Sequence, residues 1–345
     1  MKFFHIADVH IGTKNKVLTA EKQDLLKSER LEALKDLFLQ AKQDNISFIL
    51  IAGDLFHSKS PQQKMVKNFF DMIENYAEPV IYIKGNHDEK WEGQAPSNFI
   101  ILDETRPCIS IGDVDIWSAI DSKIIRANID KTRKNILMLH GNIENSNDND
   151  FVDIKDYIDL PFDYVAMGHI HSFKAFNFYG KNFVYSGSLF SNGFDECGEK
   201  GFVKVSLNDK TTFEFCPLKG RYFKICEVDK GDVTDTRGII EKIREAFVRD
   251  NVRKYDMVRA VLIGYFEEDE DKNLTMIKNA FFEQFYFEVV DKTKLKIDLE
   301  KLKKESLSFR AEFIKLVEES DLPEEDKTAV CLIGIEALKG EDLSI

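Results

Sequence analysis

Six of the seven histidines in this chain stand in short polar clusters, and each cluster follows a predicted buried strand. The clusters are Asp8-Val9-His10, Gly53-Asp54-Leu55-Phe56-His57, Gly85-Asn86-His87-Asp88, His140-Gly141 and Gly168-His169-Ile170-His171. Ligands and metals collect at the carboxyl ends of strands in α/β sheets. The sequence therefore predicts an α/β fold in which several strand ends converge on one site.

Strands and helices alternate in the first quarter of the chain. Short apolar runs at 2–7, 47–52 and 80–83 predict strands. The segments between them, 21–44 and 61–76, have the apolar spacing of helices, and we expect Pro61 just inside the second helix. This βαβαβ order predicts a parallel sheet with right-handed crossovers.

Hairpins replace this alternation after about residue 108. Turn sequences separate apolar runs within 109–117, 173–185 and 202–215, and buried strands are predicted at 136–139 and 164–167. Parallel units followed by antiparallel ones indicate two packed mixed β-sheets with helices outside. We expect this part of the chain to be one large domain, residues 1–218.

The last third of the chain has a separate pattern. Pro217 to Gly220 marks a predicted boundary, and 222–290 has the order of a second, smaller βαβαβ module. From about Leu299 we expect two helices, separated by Ser320-Asp321-Leu322-Pro323. The predicted divisions are therefore 1–218, 219–296 and 297–345.

Composition limits the class of protein. The net charge of −13 argues against a broadly basic nucleic-acid-binding surface, and residues 298–345, with 13 acidic and 7 basic side chains, contribute −6 of it. Asp8 interrupts the first apolar stretch, and no apolar run is long enough for a membrane span. Five scattered cysteines without a CxxC pair predict reduced thiols and a cytoplasmic protein.

The polar clusters have the chemistry of a metal site. Residues two apart at a strand end point the same way, so Asp8 and His10 can reach one ion, as can His169 and His171. Each cluster alone is also typical of an ordinary strand-to-loop turn. Five of them in succession favour metal binding, and imidazole with carboxylate and amide oxygen suits manganese, iron or zinc better than calcium.

The order of these motifs resembles the calcineurin-type metallophosphoesterase superfamily. Further segments are similar to the SbcD-type nuclease subunit of Mre–Rad double-strand-break complexes, a family that includes the T-even phage recombination endonuclease. They are Gly-Asp-Leu-Phe-His-Ser-Lys-Ser-Pro (53–61), Gly-His-Ile-His (168–171), Tyr-Ser-Gly-Ser (185–188) and Lys-Gly-Phe-Val (200–203). The resemblance covers residues 1–218, and it departs from the family at Ser186, where proline is usual.

The resemblance implies a four-layer α/β/β/α fold with a small α/β capping domain and C-terminal helices. It also implies two divalent ions, expected to be manganese, that activate a bridging hydroxide. One ion would be held by Asp8, His10, Asp54 and His171, and the other by Asp54, Asn86, His140 and His169. His87 is expected to protonate the leaving group, with packing beside the metals as its alternative role. His57 is expected to contact phosphate, with capping of its own loop as the alternative.

Three classes of function follow from these features. The first is a DNA exonuclease and endonuclease subunit, homodimeric within an SbcCD-like complex with a coiled-coil ATPase of the SbcC/Rad type. The alternative is a stand-alone metallophosphatase or cyclic-nucleotide phosphodiesterase, and the third is a scaffold that kept the fold. An apolar stripe of Phe309, Phe313, Leu316 and Val317 fits either ATPase docking or internal packing. Basic runs at 14–16, 59–67 and 123–134 fit either DNA phosphates or a solvated surface.

Overall fold

The computed structural model describes residues 1–15, 17–88, 94–119, 121–267, 270–296, 299–304 and 308–338. Lys16, in the first basic run, lies outside these residues. The chain forms two compact units. The first comprises Met1–Ile225, Lys254–Val258 and Gln284–Tyr286, and the second comprises Cys226–Arg253, Arg259–Glu283 and Phe287–Ile345.

Secondary structure covers most of the described chain. The strands are β1 (Lys2–Ile6), β2 (Phe48–Ala52), β3 (Val80–Ile83), β4 (Phe99–Ile101), β5 (Cys108–Ile111), β6 (Val114–Ser118), β7 (Lys134–His140), β8 (Tyr164–Gly168), β9 (Lys174–Phe178), β10 (Lys181–Tyr185), β11 (Gly201–Ser206), β12 (Thr212–Pro217), β13 (Phe223–Asp229), β14 (Met257–Ile263), β15 (Tyr265–Phe266), β16 (Tyr286–Asp291) and β17 (Lys294–Leu295). The helices are α1 (Ala20–Gln43), α2 (Gln63–Tyr76), α3 (Ser122–Asn128), α4 (Thr236–Arg249), α5 (Leu274–Ala280), α6 (Leu299–Lys303), α7 (Phe309–Glu318) and α8 (Glu324–Leu338). Ile154–Asp156 forms a 3₁₀ turn.

Two six-stranded mixed sheets form the first unit. The first sheet has the order β12-β11-β1-β2-β3-β4. Strands β1 to β4 run parallel to one another, β11 runs antiparallel to β1, and β12 runs antiparallel to β11. The second sheet has the order β5-β6-β7-β8-β10-β9, in which β6, β7, β8 and β10 are parallel. The two packed mixed sheets expected from the sequence are confirmed.

The two sheets pack face to face through their apolar side chains. Phe3 on β1 meets Tyr164 on β8 edge-on, with ring centroids 5.5 Å apart. Phe48, Leu50 and Ile136 are fully buried in the same cluster. Each such side chain stabilises the fold by about 1.5–3 kcal/mol relative to exposure, so the strands that carry the polar clusters are held firmly.

Helices cover the outer faces of both sheets. Leu37 and Phe38 of α1 and Phe69 of α2 pack against the outer face of the first sheet, and Ile125 of α3 packs against the second. Thr19 caps α1 by accepting from the backbone N–H of Lys22. These helices complete the four-layer α/β/β/α arrangement.

The expectation that Pro61 begins the second helix is wrong. α2 begins at Gln63, and Gln62 is its N-cap residue. Pro61 therefore lies before the helix, in the segment that follows the Gly-Asp cluster. The helix itself is amphipathic as expected, because Val66, Phe69, Phe70 and Ile73 are buried.

The elements expected in the last third are present. β13, β14 and β16 form a three-stranded sheet, and β15 pairs with β17 in parallel. The described residues of the C-terminal segment, 299–304 and 308–338, form three helices where two were expected, because α6 ends at Lys303 and α7 begins at Phe309. None of the described helices is long and apolar enough to cross a membrane.

The apolar stripe on α7 is divided between two environments. Val317 packs with Ile314, Cys331 and Ile335 in a cluster formed by α7 and α8, and Phe313 packs against that cluster. Phe309 and Leu316 are 89% and 62% exposed. Internal packing therefore accounts for Phe313 and Val317 and leaves Phe309 and Leu316 open.

Candidate metal centre

The polar clusters lie where strands of both sheets end. Asp8 and His10 follow β1, Asp54 follows β2, Asn86 and His87 follow β3, His140 ends β7, and His169 and His171 follow β8. Strands β1 to β3 belong to the first sheet, and β7 and β8 belong to the second. Both sheets therefore contribute side chains to one centre.

His10 and His171 face each other across one part of this centre. Their Nε2 atoms are 3.2 Å apart. His10 Nε2 lies 3.7 Å from Asp54 Oδ2, and His171 Nε2 lies 3.9 Å from Asp8 Oδ1. The ligand atoms of Asp8, His10 and His171 all lie within 4.8 Å of one another, close enough to hold one metal ion.

His140 and Asn86 meet on the other side of Asp54. His140 Nε2 is 3.1 Å from Asn86 Oδ1 and 3.5 Å from Asp54 Oδ2. Asp54 Oδ2 is therefore near the Nε2 atoms of both His10 and His140. Asp8, Asp54 and His140 form a second group whose ligand atoms lie within 4.8 Å.

His169 is placed differently from the other expected ligands. Its ring centroid is 5.4 Å from that of His140, but its Nε2 lies 3.3 Å from Asp148 Oδ2. It forms a third group with Asp148 and Asp150. Its own backbone N–H donates to both carboxylate oxygens of Asp8, each at 3.1 Å.

The two central carboxylates differ in their acidity. Burial raises the pKa of the fully buried Asp8 to about 6, although His140 and His171 oppose the shift. Burial would also raise the pKa of Asp54, but the hydrogen bond and charge of His140 hold it at about 2. In the described part of the chain no lysine or arginine forms an ion pair with either carboxylate. A buried, acceptor-rich site of this kind fits divalent cations.

The central histidines also depart from their ordinary acidity. Burial lowers the pKa of His10 to about 4, although Asp54 opposes the shift. Burial would lower the pKa of His140 as well, but its hydrogen bond with Asp54 and the charge of Asp8 raise it to about 9. A metal ligand must be the neutral imidazole, so an ion bound beside His140 has to displace a proton.

Two of the ligand rings are oriented by acceptors outside the centre. His140 Nδ1 donates to the carbonyl oxygen of Ala52 at 2.8 Å, and His171 Nδ1 donates to Glu196 Oε1 at 2.7 Å. A carbonyl oxygen can only accept, so Nδ1 of His140 carries a proton, and loss of the Nε2 proton to an incoming ion leaves a lone pair that faces Asp54 and Asn86. Contacts of this kind fix the tautomer of metal-binding histidines.

Glu196, Asp148 and Lys200 are site residues that the sequence reasoning did not assign. Glu196 and Asp148 accept from ligand histidines, and Lys200 Nζ donates to the backbone carbonyl of His171 at 2.6 Å. Lys200 is buried and stands in the Lys-Gly-Phe-Val segment. The Lys-Gly-Phe-Val segment was the only sequence signal for these three residues. No spacing in a sequence shows which acidic loop residue will accept a hydrogen bond from a given histidine.

The backbone of the centre is strained at four expected ligands. Asp8, His10 and Asp54 have φ values of 48°, 46° and 51°, and His169 has 93°. Non-glycine residues rarely adopt positive φ, and each such position costs about 1–3 kcal/mol. The strained positions are therefore those whose side chains must converge on the centre.

Glycine is required where the backbone passes a ligand. A Cβ atom on Gly53 would lie 2.1 Å from His140 Nδ1, and one on Gly85 would lie 2.2 Å from Asp54 Oδ1. No side chain fits at either position. The glycines in the Gly-Asp and Gly-Asn-His-Asp clusters thus make room for ligands from other strands.

Asp88 ties two loops of the centre together. Its carboxylate accepts from the backbone N–H groups of Leu55 and Phe56 after β2 and of Gly85 after β3, each at 3.1 Å. The His87 N–H donates to Asp54 Oδ1 at 2.9 Å. These bonds fix the position of Asp54 relative to the Asn86 loop.

His87 and His57 stand at the exposed side of the centre. The His87 ring lies 5.2 Å from that of His10, and it stacks on His57 with centroids 6.1 Å apart and planes at 14°. Both residues are exposed, whereas His10 is 3% exposed. They are therefore placed to meet a molecule that approaches the buried ligands from outside.

The family of this chain is decided by its N-terminal half. Residues 1–173 match the model of the calcineurin-like phosphoesterase family. The chain belongs to the calcineurin-like phosphoesterases. The family implies divalent metal ions, and the buried groups of ligand atoms are the candidate metal site of this phosphoesterase.

Proteins similar to this phosphoesterase include archaeal repair proteins. The DNA double-strand break repair protein Mre11 of Archaeoglobus fulgidus is 27% identical over 228 residues, 55% of this chain and 50% of the relative, so the chain spans half of that protein. Mre11 of Methanococcus maripaludis is 24% identical over 317 residues, 81% of this chain and 83% of the relative. A dimetal phosphatase from Danio rerio aligns over 62% of this chain and 98% of its own, with 10% identity and a TM-score of 0.40.

Proposed function

We propose that this phosphoesterase is a metal-dependent DNA phosphodiesterase, the nuclease subunit of an SbcCD or Mre–Rad-like complex that processes DNA ends. The observation that carries the proposal is the convergence of buried ligand atoms around Asp54, beside two exposed histidines. The relatives named as double-strand break repair proteins support DNA as the substrate. Exonuclease and endonuclease activity are both included.

We assign the ligands to two ions. One would be held by Asp8, His10, Asp54 and His171, and the other by Asp54, Asn86, His140 and His169. Nδ1 of His169 is the atom available for this role, because its Nε2 faces Asp148. When bound, the two ions lower the pKa of water and stabilise negative charge on the phosphoryl oxygens. Manganese is the proposed ion because it accepts this mixture of imidazole, carboxylate and amide ligands.

The chain's own residues position the substrate and move protons. Asp54 is held between the two groups by the His87 N–H, and Glu196 and Ala52 keep the Nε2 atoms of His171 and His140 turned inward. His87 is not among the ligands, and its exposed ring is our candidate to protonate the leaving oxygen. His57, which stacks on it, is assigned to the phosphate.

The remaining parts of the chain are assigned to DNA and to a partner. In this proposal residues 1–218 carry the chemistry, 219–296 form a capping domain that positions DNA, and 297–345 dock a coiled-coil ATPase. A partner is needed because the chain carries a net charge of −13 and polyanionic DNA requires positive charge. The resemblance supports a homodimer within the complex, and five cysteines outside any disulfide support the cytoplasm.

The test is hydrolysis of linear duplex DNA with manganese, with and without the ATPase. His87→Ala should lower kcat by about 10²–10⁴-fold, the usual contribution of general acid catalysis, while it leaves manganese binding intact. Lys210→Glu, in the β11–β12 turn, serves as a control for nonspecific charge effects. Hydrolysis of small phosphomonoesters with no cleavage of DNA would instead favour a stand-alone phosphatase.

A further inference from the structure

A cavity of about 310 Å³ opens directly beside the metal centre. It lies between the loop at 9–15, the N-terminal half of α1 and the start of α2, and His10 is part of its lining. His10 therefore belongs to both the ligand set and the wall of the cavity. A molecule in this space would sit next to whatever is bound at the centre.

The cavity is positively charged in an acidic protein. Its lining includes Lys14, Lys27, Arg30 and Lys64, and Asp24 is the one acidic residue among the lining residues. The three lysines are exposed, and they form no ion pair with any residue that the structure describes. Cations without protein partners, in a chain of net charge −13, indicate that this position attracts an anion.

The inner wall combines an aromatic ring with a half-buried cation. The guanidinium of Arg30 lies 5.6 Å from the Phe190 ring centroid, and its Nη2 donates to the Ser191 carbonyl at 2.5 Å. Burial lowers the pKa of Arg30 to about 10, so it keeps its charge at neutral pH. Leu31 and Met65 add apolar surface. Flat aromatic groups bind to walls of this composition.

His10 offers a further polar contact. Its Nε2 faces His171 and Asp54, while its buried Nδ1 has no hydrogen-bond partner among the described residues. A buried polar group without a partner destabilises the structure, because it has lost its hydrogen bonds to water. An acceptor group on a molecule that reached this atom would recover part of that cost.

From these observations we propose that the cavity holds the nucleoside next to the scissile phosphate, with Lys14 and Lys64 on the neighbouring phosphate. This inference rests on the proposed function and adds a binding site to it. Pockets of about 300–1,000 Å³ hold small organic molecules, so a cavity of about 310 Å³ has the size that one nucleoside needs.

The test compares two substrates on the full chain with manganese. One is a single-stranded oligonucleotide, and the other is bis(4-nitrophenyl) phosphate, a phosphodiester with no nucleoside. Lys14→Glu and Lys64→Glu should each lower the preference for the oligonucleotide, as the ratio of kcat/KM values, by at least about tenfold. Each should also reduce the slope of log affinity against log salt by about 0.7, the value for one contact to a single strand.

Two further variants distinguish the effect of the shape of the cavity from the effect of a change in charge. Gln23→Trp fills the cavity from α1 without a change of charge and should also lower the oligonucleotide preference. Lys210→Glu makes the same charge change in the β11–β12 turn and should change neither substrate. Thermal unfolding of each variant checks that it folds.

Competition experiments distinguish a free nucleotide from an intact strand as the occupant of the cavity. A deoxynucleoside monophosphate should inhibit bis(4-nitrophenyl) phosphate hydrolysis in the wild type and at least about tenfold less well in Gln23→Trp. If the cavity holds a nucleoside of the intact strand, an oligonucleotide with an abasic site at the cleaved position should no longer be preferred over bis(4-nitrophenyl) phosphate by the wild type. Wild-type preference in both lysine variants, or equal inhibition in Gln23→Trp, would overturn the cavity assignment. Failure of the wild type to cleave any DNA would overturn the proposed function instead. Inhibition of bis(4-nitrophenyl) phosphate hydrolysis by the nucleotide would still show whether the cavity binds a nucleoside.

Discussion

At the scale of single residues, the ligand histidines depend on acceptors that stand far away in the sequence. Glu196 is 25 residues from His171, and Asp148 is 21 residues from His169. Outer contacts of this kind raise the basicity of the ligand and hold its ring in place. They therefore belong to the centre as much as the ligands do.

Glu196→Gln is expected to weaken manganese binding by about 10–100-fold, the usual effect of removing an outer acceptor. The amide keeps the size of the side chain but removes its charge. Glu199→Gln, an exposed position three residues on, is the matched control. Manganese titration followed by electron paramagnetic resonance measures the affinity directly. Equal affinity in the two variants would show that Glu196 has no part in metal binding.

At the scale of elements, the strands and their terminal clusters were predictable and their surroundings were not. β1, β2, β3, β7 and β8 are continuous buried runs, and the polar residue types that follow them are unmistakable. Glu196 and Asp148 could not be found in this way, because the path of a loop in space decides which carboxylate meets which ring. The separate helix α6, which ends at Lys303 before α7 begins at Phe309, was likewise not predicted from the sequence.

Substitutions in helix α7 should affect partner binding and protein stability separately. Phe309→Asp with Leu316→Asp changes two exposed side chains, so the free energy of unfolding should change by less than about 0.5 kcal/mol. The same pair should abolish co-purification with the coiled-coil ATPase if this helix docks it. Val317→Ala, in the buried cluster, is the contrasting variant and should destabilise the fold by about 1–3 kcal/mol. Retained binding in the double variant would contradict the docking proposal.

At the scale of the whole molecule, one buried histidine should govern part of the response to acid. His5 is completely buried in β1, with its Nδ1 3.0 Å from the Tyr164 hydroxyl. Burial lowers its pKa to about 3 from an ordinary value of 6.5. The folded state thus favours the neutral ring, and the stability contributed by His5 is present above pH 6.5 and is lost as pH falls towards 3.

His5→Leu should therefore make the protein less sensitive to acid. Between pH 7.5 and 4.5 the wild type is expected to lose about 2–3 kcal/mol more of its unfolding free energy than the variant, from a shift of 1.36 kcal/mol per pH unit. Urea unfolding at both pH values measures the difference. Other titrating groups cancel in the comparison, and an identical loss in both proteins would contradict the role of His5.

The proposed metal ligands follow strands of both sheets, and this has a consequence for the stability of the protein. His10 and His171 are 161 residues apart in the chain, yet their Nε2 atoms are 3.2 Å apart. An ion bound between them acts as a removable cross-link that closes a long loop and fastens one sheet to the other. At a metal concentration of 100 times Kd it should add about 2.7 kcal/mol to the stability. Chelation should therefore lower Tm and speed amide exchange in β1 and β8 together. Ions bound at the proposed site would then stabilise the packing of the two sheets as well as serve the chemistry.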